Sequence, residues 1–443
     1  MKAQQNFSMY LKSFIDHYYL VGMACIAPII LYFNYDAQLR KGALEIYYKN
    51  FALIIKSWFD LSATTTTEPL TFPIWGYGWI MLITENHIAL VTIQFALALF
   101  SVWYFIRTME INTLLPKSYI RLFKLILLVS IPWYAFHSVR WPYSISSSLC
   151  VLSIAALYRG IKQEEWPSLF LSAIAFGLLL NFRSDYFLMP IGIMLIVLWA
   201  QCSIKNSKKI LIWALMLYSF LIPWAFFTKK VCGHYLITST NGGHVCLAGL
   251  GKYPNNKWGI APINSDGCPV IHKFVDDVYG ESACTWDYKG DKVLKSKFLE
   301  LIKNDPWEYV KKCIYTFYLV VTEGVYNGEF IERENRSDIK VQKTKNFLRF
   351  FAIALQHFSR GLASHITLTS YLLLPVAIFA AFYTSNLFFL LMISVIGYQT
   401  ALNVLCDHMT CYTNNVFFFF LLNIIYVLYA AFSNVGISRR RIK

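Results

Sequence analysis

The block Asn386-Leu-Phe-Phe-Leu-Leu-Met-Ile-Ser-Val-Ile-Gly-Tyr-Gln-Thr-Ala-Leu-Asn-Val404 contains no Asp, Glu, Lys, Arg or His. A continuous apolar stretch of roughly 20 residues is what a helix needs to cross about 30 Å of hydrocarbon. A membrane-spanning β-strand would instead alternate apolar and polar residues over about 10 positions. Similar blocks recur outward from this one: Ile366–Tyr383 and Val416–Phe432 beside it, then Tyr18–Phe33, His87–Ile106, Leu122–Val139, Pro142–Tyr158, Pro167–Phe182, Tyr186–Gln201 and Ile210–Phe227 nearer the N-terminus. The pattern predicts an all-α polytopic membrane protein with about 10 transmembrane helices, and about 12 if two ambiguous blocks also cross.

Composition agrees. The chain is 57% hydrophobic and 15% charged, against about 25% charged in soluble domains. Its net charge of +15 is dispersed among apolar blocks, which argues against nucleic-acid binding. It fits the basic bias of cytoplasmic loops and leaves room for an anionic lipid partner. Met1–Tyr18 is polar and amphipathic with no small-residue cleavage site, so the first apolar block is expected to stay as an anchor.

Short loops set the orientation. Arg107, Lys117, Arg121 and Lys124 follow the second block, Arg159 and Lys162 the fourth, Lys205, Lys208 and Lys209 the sixth, and Arg439, Arg440, Arg441 and Lys443 end the chain. With alternating spans all lie on one side, the cytoplasmic one. Both termini are then cytoplasmic. Two polar inserts, Asn34–Phe72 and Thr228–Pro306, emerge on the other face.

The chain thus divides into an N-terminal transmembrane module over 1–227, with its first outer loop and interfacial helices at 34–85, an extracytoplasmic insert over 228–306, and a C-terminal module over 307–443. Trp307–Glu323 carries Lys311 and Lys312, and Phe347–Phe358 carries Arg349. Both are short for a crossing and are expected to lie in the outer interface. Glu45-Ile-Tyr-Tyr-Lys-Asn-Phe-Ala-Leu-Ile-Ile-Lys-Ser-Trp-Phe59 has apolar residues at helical spacing with lysines between them, again interfacial. Phe72-Pro-Ile-Trp-Gly-Tyr-Gly78 turns the chain back, with Pro and Gly as punctuation.

Ionisable residues at membrane depth are costly, so each is a functional candidate. Asp36 directly follows the first block and suits a general base deprotonating an acceptor hydroxyl. Glu45 is its rival. A helix N-cap and a solvated helix face are the plainer roles for the two. Arg183 and Asp185, in Asn181-Phe-Arg-Ser-Asp-Tyr-Phe-Leu-Met-Pro190, sit where one block ends outside and the next begins. An arginine there can fork onto a phosphate, or pair with Asp185. Tyr186 stands beside them. His137 and Arg140 flank another outer turn beside Trp141-Pro-Tyr143, and His408 and Tyr412 occupy the last. The run Thr238-Ser-Thr-Asn-Gly-Gly-His244, following Lys229 and Lys230, offers hydroxyls, the Asn241 amide and His244 for hydrogen bonding to a sugar or phosphate, or else forms a tight turn.

Cys232, Cys246, Cys268 and Cys284 lie in the second insert, where an oxidising compartment would support at least one disulfide. Cys406 and Cys411 flank Asp407-His408 and are a further possible pair. Zinc is disfavoured because CxxC and HxxxH spacings are absent. So are P-loop, GxSxG, HExxH and dinucleotide fingerprints.

The layout resembles the polytopic GT-C glycosyltransferases, the protein-mannosyltransferase-like and lipid A aminoarabinose-transferase-like enzymes of family 39 character. The residues that carry the resemblance are Asp36 or Glu45 in the first outer loop, Tyr48 to Ala52, Phe72-Pro-Ile-Trp-Gly-Tyr77, Arg183-Ser-Asp185-Tyr, and Asn304-Asp-Pro-Trp-Glu-Tyr309. Leu44 stands where the family's acidic motif has its carboxylate, so Asp36 and Glu45 both remain open. Ser184 replaces the family's Pro, and His408-Met-Thr-Cys-Tyr412 stands in place of an Arg-Tyr pair. The resemblance implies a polyprenyl-phosphate-linked sugar as donor, with its lipid tail between spans and its phosphate held by Arg183, Arg140 or Lys229-Lys230. The acceptor would be a glycolipid, glycan or protein. No metal or other cofactor is expected. An O-antigen-type polymerase or ligase, and a transporter of lipid-linked oligosaccharide, are the alternatives. A transporter would show broken helices and buried mid-membrane charge.

Overall fold

A computed structural model describes residues 10, 12–39, 43–63, 70–71, 74–140, 142–201, 203–261, 269–280, 284–323, 347–406 and 416–440. Among the described residues the regular structure is all helical. The N-terminal module contains α1 (Tyr19–Leu39), α2 (Ala43–Lys56), α3 (Gly76–Met81), α4 (His87–Ile111), α5 (Lys117–Leu128), α6 (Ile131–His137), α7 (Pro142–Lys162), α8 (Trp166–Phe182), α9 (Met189–Ala200), α10 (Ile204–Ser219) and α11 (Ile222–Cys232). The second insert holds α12 (Gly242–Gly251), α13 (Pro269–Tyr279) and α14 (Tyr288–Asn304), followed by α15 (Pro306–Thr322), α16 (Phe347–Tyr383), α17 (Leu387–Leu405) and α18 (Phe417–Arg440).

Five segments are long and apolar enough to cross a membrane: His87–Ile111, Pro142–Lys162, Ile204–Cys232, His357–Tyr383 and Leu387–Leu405. The bent pair α5 and α6 passes the same test when its two helices are taken together. Tyr19–Leu31, Trp166–Phe182, Ser184–Ala200 and Phe417–Ser433 are shorter apolar helices at the other expected positions.

Helix α7 is the centre of the bundle, with 94% of its apolar window buried. Ser144, Ser146, Ser147, Ser148, Cys150, Ser153, Ala155 and Ala156 keep it narrow, and small residues let neighbouring helices approach closely. The polar atoms are satisfied between helices. Ser172 Oγ donates to the Ser153 carbonyl at 2.8 Å, and Trp213 Nε1 donates to Ser172 Oγ at 3.0 Å.

The expected span Leu122–Val139 is broken. Helices α5 and α6 meet at 57°. The cause is Pro132, which cannot donate to the Leu128 carbonyl four residues earlier. The Tyr134 hydroxyl takes that carbonyl instead, at 3.0 Å.

One expectation needs correction. Phe347–Phe358 is not a separate interfacial helix, because α16 runs without interruption from Phe347 to Tyr383. The linking residues Ser359-Arg-Gly-Leu-Ala-Ser-His365 include one glycine and no proline, too little to stop a helix. Trp307–Glu323 forms α15, and Lys312 in it is fully buried. Its ammonium donates to the Val404 and Cys406 carbonyls at 2.8 Å and to Leu405 at 3.3 Å. The negative end of α17 is thereby capped by a cation.

The second insert has a small apolar core of its own, built from Leu247, Ala248, Leu250, Ile260, Ile271, Val275 and Leu294. The Gly242-Gly243 pair begins α12. A Cβ at Gly243 would lie 2.7 Å from the Asp291 carbonyl and 2.8 Å from Leu294 Cβ. This glycine lets α12 press against α14, and Asp291 accepts its N–H at 2.7 Å.

Contacts between loops collect at two ends. At one end Arg121 pairs with Asp16 at 2.7 Å, Lys124 with Glu110 at 2.8 Å and Arg159 with Glu165 at 2.7 Å. Gln163 also donates to Asn112 there, at 3.1 Å. The other end carries the turn after α8 and both inserts.

Candidate functional site

Asn181, in the last turn of α8, ties three segments together. It accepts from Trp75 Nε1 at 3.0 Å and donates to the Gly177 and Phe220 carbonyls at 3.0 and 2.9 Å. The adjacent Gly76 cannot carry a side chain, since its Cβ would fall 2.3 Å from the Asn181 carbonyl oxygen. Trp75-Gly-Tyr77 is therefore a docking turn that seats the end of the first insert on α8. Tyr77 then donates to Gln94 Oε1 at 2.9 Å, and Gln94 Nε2 reaches the Val139 carbonyl at 2.8 Å. The Tyr77 ring lies 5.2 Å from that of Tyr48 on α2.

Beyond α8 the chain turns through the short 3-10 helix Ser184–Tyr186. Arg183 forks onto Asp185. Its Nε donates to Oδ1 at 2.8 Å and its Nη2 to Oδ2. The Arg183 side chain is 11% exposed and that of Asp185 22%, so the pair is only partly wet. The guanidinium carbon stands 4.0 Å from the centre of the Tyr143 ring, an Arg–aromatic stack. Burial pushes the Tyr48 hydroxyl above its usual pKa, while the charge of Arg183 acts in the opposite sense. Arg183 thus sits between Tyr143 and Asp185.

Tyr398 of α17 locks the turn from behind. Its hydroxyl donates to the Asp185 carbonyl, and its ring stacks on Tyr186 at 6.3 Å. Tyr186 is fully buried, and its hydroxyl has no hydrogen-bond partner among the described residues.

The polar run of the second insert reaches this turn. Ser184 Oγ and Ser239 Oγ are 2.9 Å apart, and Ser239 donates to Asn241 Oδ1 at 2.7 Å. The next residue, Thr240, donates its N–H to the Thr71 carbonyl at 3.2 Å and shares a 2.8 Å hydroxyl contact with Thr71. Lys230 adds a second link between the inserts, donating to the Phe59 carbonyl at 2.6 Å. The turn after α8, the end of the first insert and the start of the second therefore meet at Ser184, Ser239, Thr240 and Thr71.

The other described candidates have surroundings of their own. His137 is buried in α6, with Nδ1 2.8 Å from Ser144 Oγ and its ring 4.5 Å from that of Trp133. Arg140 is half-buried, just before α7. Lys229 donates to the Gly233 carbonyl at 2.7 Å and lies over Tyr235, which makes it a helix-end cation. His244 is buried with its ring 5.3 Å from Trp286.

Asp36 lies within α1, so it does not begin the helix that follows, and Glu45 lies in the first turn of α2. The side chains of both fall outside the described residues, as do His408, Tyr412, Cys268 and Cys411. Cys232, Cys246, Cys284 and Cys406 carry thiols, so no disulfide joins the described cysteines of the insert. Among the described residues no three His, Cys, Asp or Glu converge as a metal-ligand set.

Tyr398 is the part of this cluster that the sequence reading passes over. Its signal is weak, a polar aromatic inside an otherwise apolar block. Comparison of the chain with family models, curated proteins and solved structures gave no match.

Proposed function

We propose that the protein is a membrane glycosyltransferase that moves a sugar from a polyprenyl-phosphate-linked donor to a glycolipid, glycan or protein acceptor on the extracytoplasmic face of the inner membrane. The observation that carries this reading is the junction at Ser184 and Ser239, 2.9 Å apart. It joins the hydroxyl- and amide-rich run of the second insert to the residue that follows Arg183 in the chain. In this reading the chain crosses the membrane about ten times, both termini are cytoplasmic, and the five long spans are completed by the bent pair and the four shorter apolar helices.

The chemistry follows from the residue types. A carboxylate, Asp36 or Glu45, takes the proton of the acceptor hydroxyl. The acceptor oxygen attacks the anomeric carbon as its bond to the phosphate oxygen breaks, with inversion. The departing polyprenyl phosphate is an anion, so a positive group stabilises it without a proton donor. Arg183 has the planar fork suited to that phosphate, and Asp185 and Tyr143 hold it in orientation. In this reading the Ser239 hydroxyl and the Asn241 amide hydrogen-bond the sugar, while the buried Thr240 hydroxyl is committed to Thr71 and the Trp286 carbonyl.

The break between α5 and α6 supports a second reading, transport of the same class of lipid. Buried Ser130 at the break has a hydroxyl without a hydrogen-bond partner among the described residues, a feature expected where a transporter's helix is unwound. One experiment addresses both. Membranes containing equal amounts of wild type, Asp36→Ala, Glu45→Ala and Arg183→Ala are given an isotopically labelled polyprenyl-phosphate sugar, and transfer to acceptor is followed. Transferase activity is expected to fall by about 10²-fold or more in Arg183→Ala and in one carboxylate variant. Full transfer by all three variants would refute the assignment. Movement of labelled lipid across the bilayer without transfer would select the transporter.

A further inference from the structure

Gln399 and Asn403 lie one helical turn apart on α17, and both side chains are fully buried. Residues four apart on a helix are neighbours on one face. Gln399 Nε2 donates to Asn403 Oδ1 at 3.5 Å, long for such a bond. The return bond is not made, for Gln399 Oε1 and Asn403 Nδ2 have no hydrogen-bond partner among the described residues. Reversing both amides swaps donor and acceptor but still leaves one of each unmet.

The pair stands near the Arg183 turn. Phe388, at the start of α17, has its ring 5.2 Å from that of Tyr158, near the end of α7. At the other end Tyr143 of α7 lies under Arg183, and Tyr398 of α17 donates to the carbonyl of Asp185. The two helices therefore run antiparallel and converge on that turn. Gln399 directly follows Tyr398, and Lys312 holds the Val404 carbonyl just beyond Asn403. The same end of α7 carries the buried serines Ser144, Ser146, Ser147 and Ser148, so this end of the bundle interior is polar.

Buried polar groups in native proteins are hydrogen-bonded. The unmet atoms select the chemistry of what completes them. A cation would satisfy only the amide oxygen, and a phosphate or carboxylate oxygen only the N–H. A hydroxyl does both, accepting from Asn403 Nδ2 and donating to Gln399 Oε1. Asn423 of α18 differs. Its amide nitrogen is spent on the Ser370 carbonyl and hydroxyl, and only its oxygen is left, which selects no such group.

We propose that Gln399 and Asn403 form a hydroxyl-binding site inside the bundle, beside the turn that carries Arg183. The hydroxyl belongs to an ordered water or to a sugar. Water at this site is independent of the transferase reading. A sugar hydroxyl rests on it, since the sugar is then the one carried by the lipid-linked donor. Either one fastens the stretch of α17 that holds Tyr398 against the turn.

The test is a structure of the full chain in lipid nanodiscs at a resolution that places waters, with and without an added polyprenyl-phosphate-linked sugar. One oxygen is expected about 3 Å from both Gln399 Oε1 and Asn403 Nδ2. Its presence without the added lipid identifies water. Its appearance only with the lipid, in density continuous with the sugar, identifies the sugar hydroxyl. No oxygen in either sample would overturn the site, as would amides bonded to each other through both atom pairs or to the segment 407–415. Gln399→Leu combined with Asn403→Leu should lose the oxygen and leave Tyr398 on the Asp185 carbonyl; an oxygen that persisted there would refute the assignment. The wild-type density decides even where the variant does not fold. Transfer of labelled sugar is scored separately. Bound water without transfer keeps the site and sinks the transferase, whereas transfer without the oxygen keeps the transferase and sinks the site.

Discussion

Arg183 is already occupied. Its fork on Asp185 and its stack on Tyr143 describe a structural pair as well as a poised phosphate ligand. The two roles separate by charge-conserving substitution. Lys keeps a positive charge but loses the planar fork and most of the ring stacking. If Arg183 grips the donor phosphate, Arg183→Lys lowers kcat/KM for transfer by roughly 10-fold or more, with unchanged expression and thermal stability. If the pair only holds the turn, Arg183→Lys shifts the melting temperature and activity follows the folded fraction. This pair was legible in the sequence because opposite charges at a junction between apolar blocks are conspicuous there. Tyr398 was not, because its contact with Asp185 spans 213 residues and no local pattern reports a partner that far away. Lys229 is one of three cationic options that the resemblance implies for the phosphate, and no sequence pattern showed that it would also bond the Gly233 carbonyl at its own helix end.

At the scale of elements, the break between α5 and α6 gives a quantitative case. Pro132 frees the Leu128 carbonyl and Tyr134 satisfies it at 3.0 Å. Tyr134→Phe should destabilise the protein by about 1 kcal/mol, the worth of one such bond. Pro132→Ala restores an N–H that can take the same carbonyl, so Tyr134→Phe should cost less in that background. A double-mutant cycle on thermal unfolding in detergent reads this coupling; strict additivity would mean the hydroxyl does not serve the break. The insert offers a matched pair. Gly243→Ala drives a methyl into backbone 2.7 Å away, whereas Gly242→Ala meets only the flexible end of Lys295 at 3.1 Å. Gly243→Ala should lose about 1–3 kcal/mol and raise hydrogen exchange across α12 and α14, with Gly242→Ala close to wild type. Apolar block length located most helices correctly because the hydrocarbon requirement dominates. It misread α16, where the absence of a breaker outweighs the polar residues Ser359, Arg360 and His365. It did not foresee that Lys312 of α15 is buried, because the carbonyls it compensates belong to a helix distant in sequence.

For the whole molecule, the two ends differ in chemistry. Lys205 and Lys208 lie in the exposed start of α10 near the pairs Arg159–Glu165 and Lys205–Glu164, while the inserts and the Arg183 turn gather at the opposite end. Between them runs α7, 21 residues long, which at about 1.5 Å per residue gives roughly 30 Å, the thickness of the hydrocarbon layer. Basic loops stay in the cytoplasm, so the Lys208 end should face inward and the insert end outward. The two exposed lysines make this a direct measurement. In intact cells a membrane-impermeant maleimide should label Lys292→Cys and leave Lys208→Cys unmodified, and permeabilisation should expose Lys208→Cys. Labelling of both positions from the same side would break the parity of the crossings between them. It would then separate the inserts from the compartment in which a lipid-linked donor and an outer acceptor meet, and the transferase reading would fail with it.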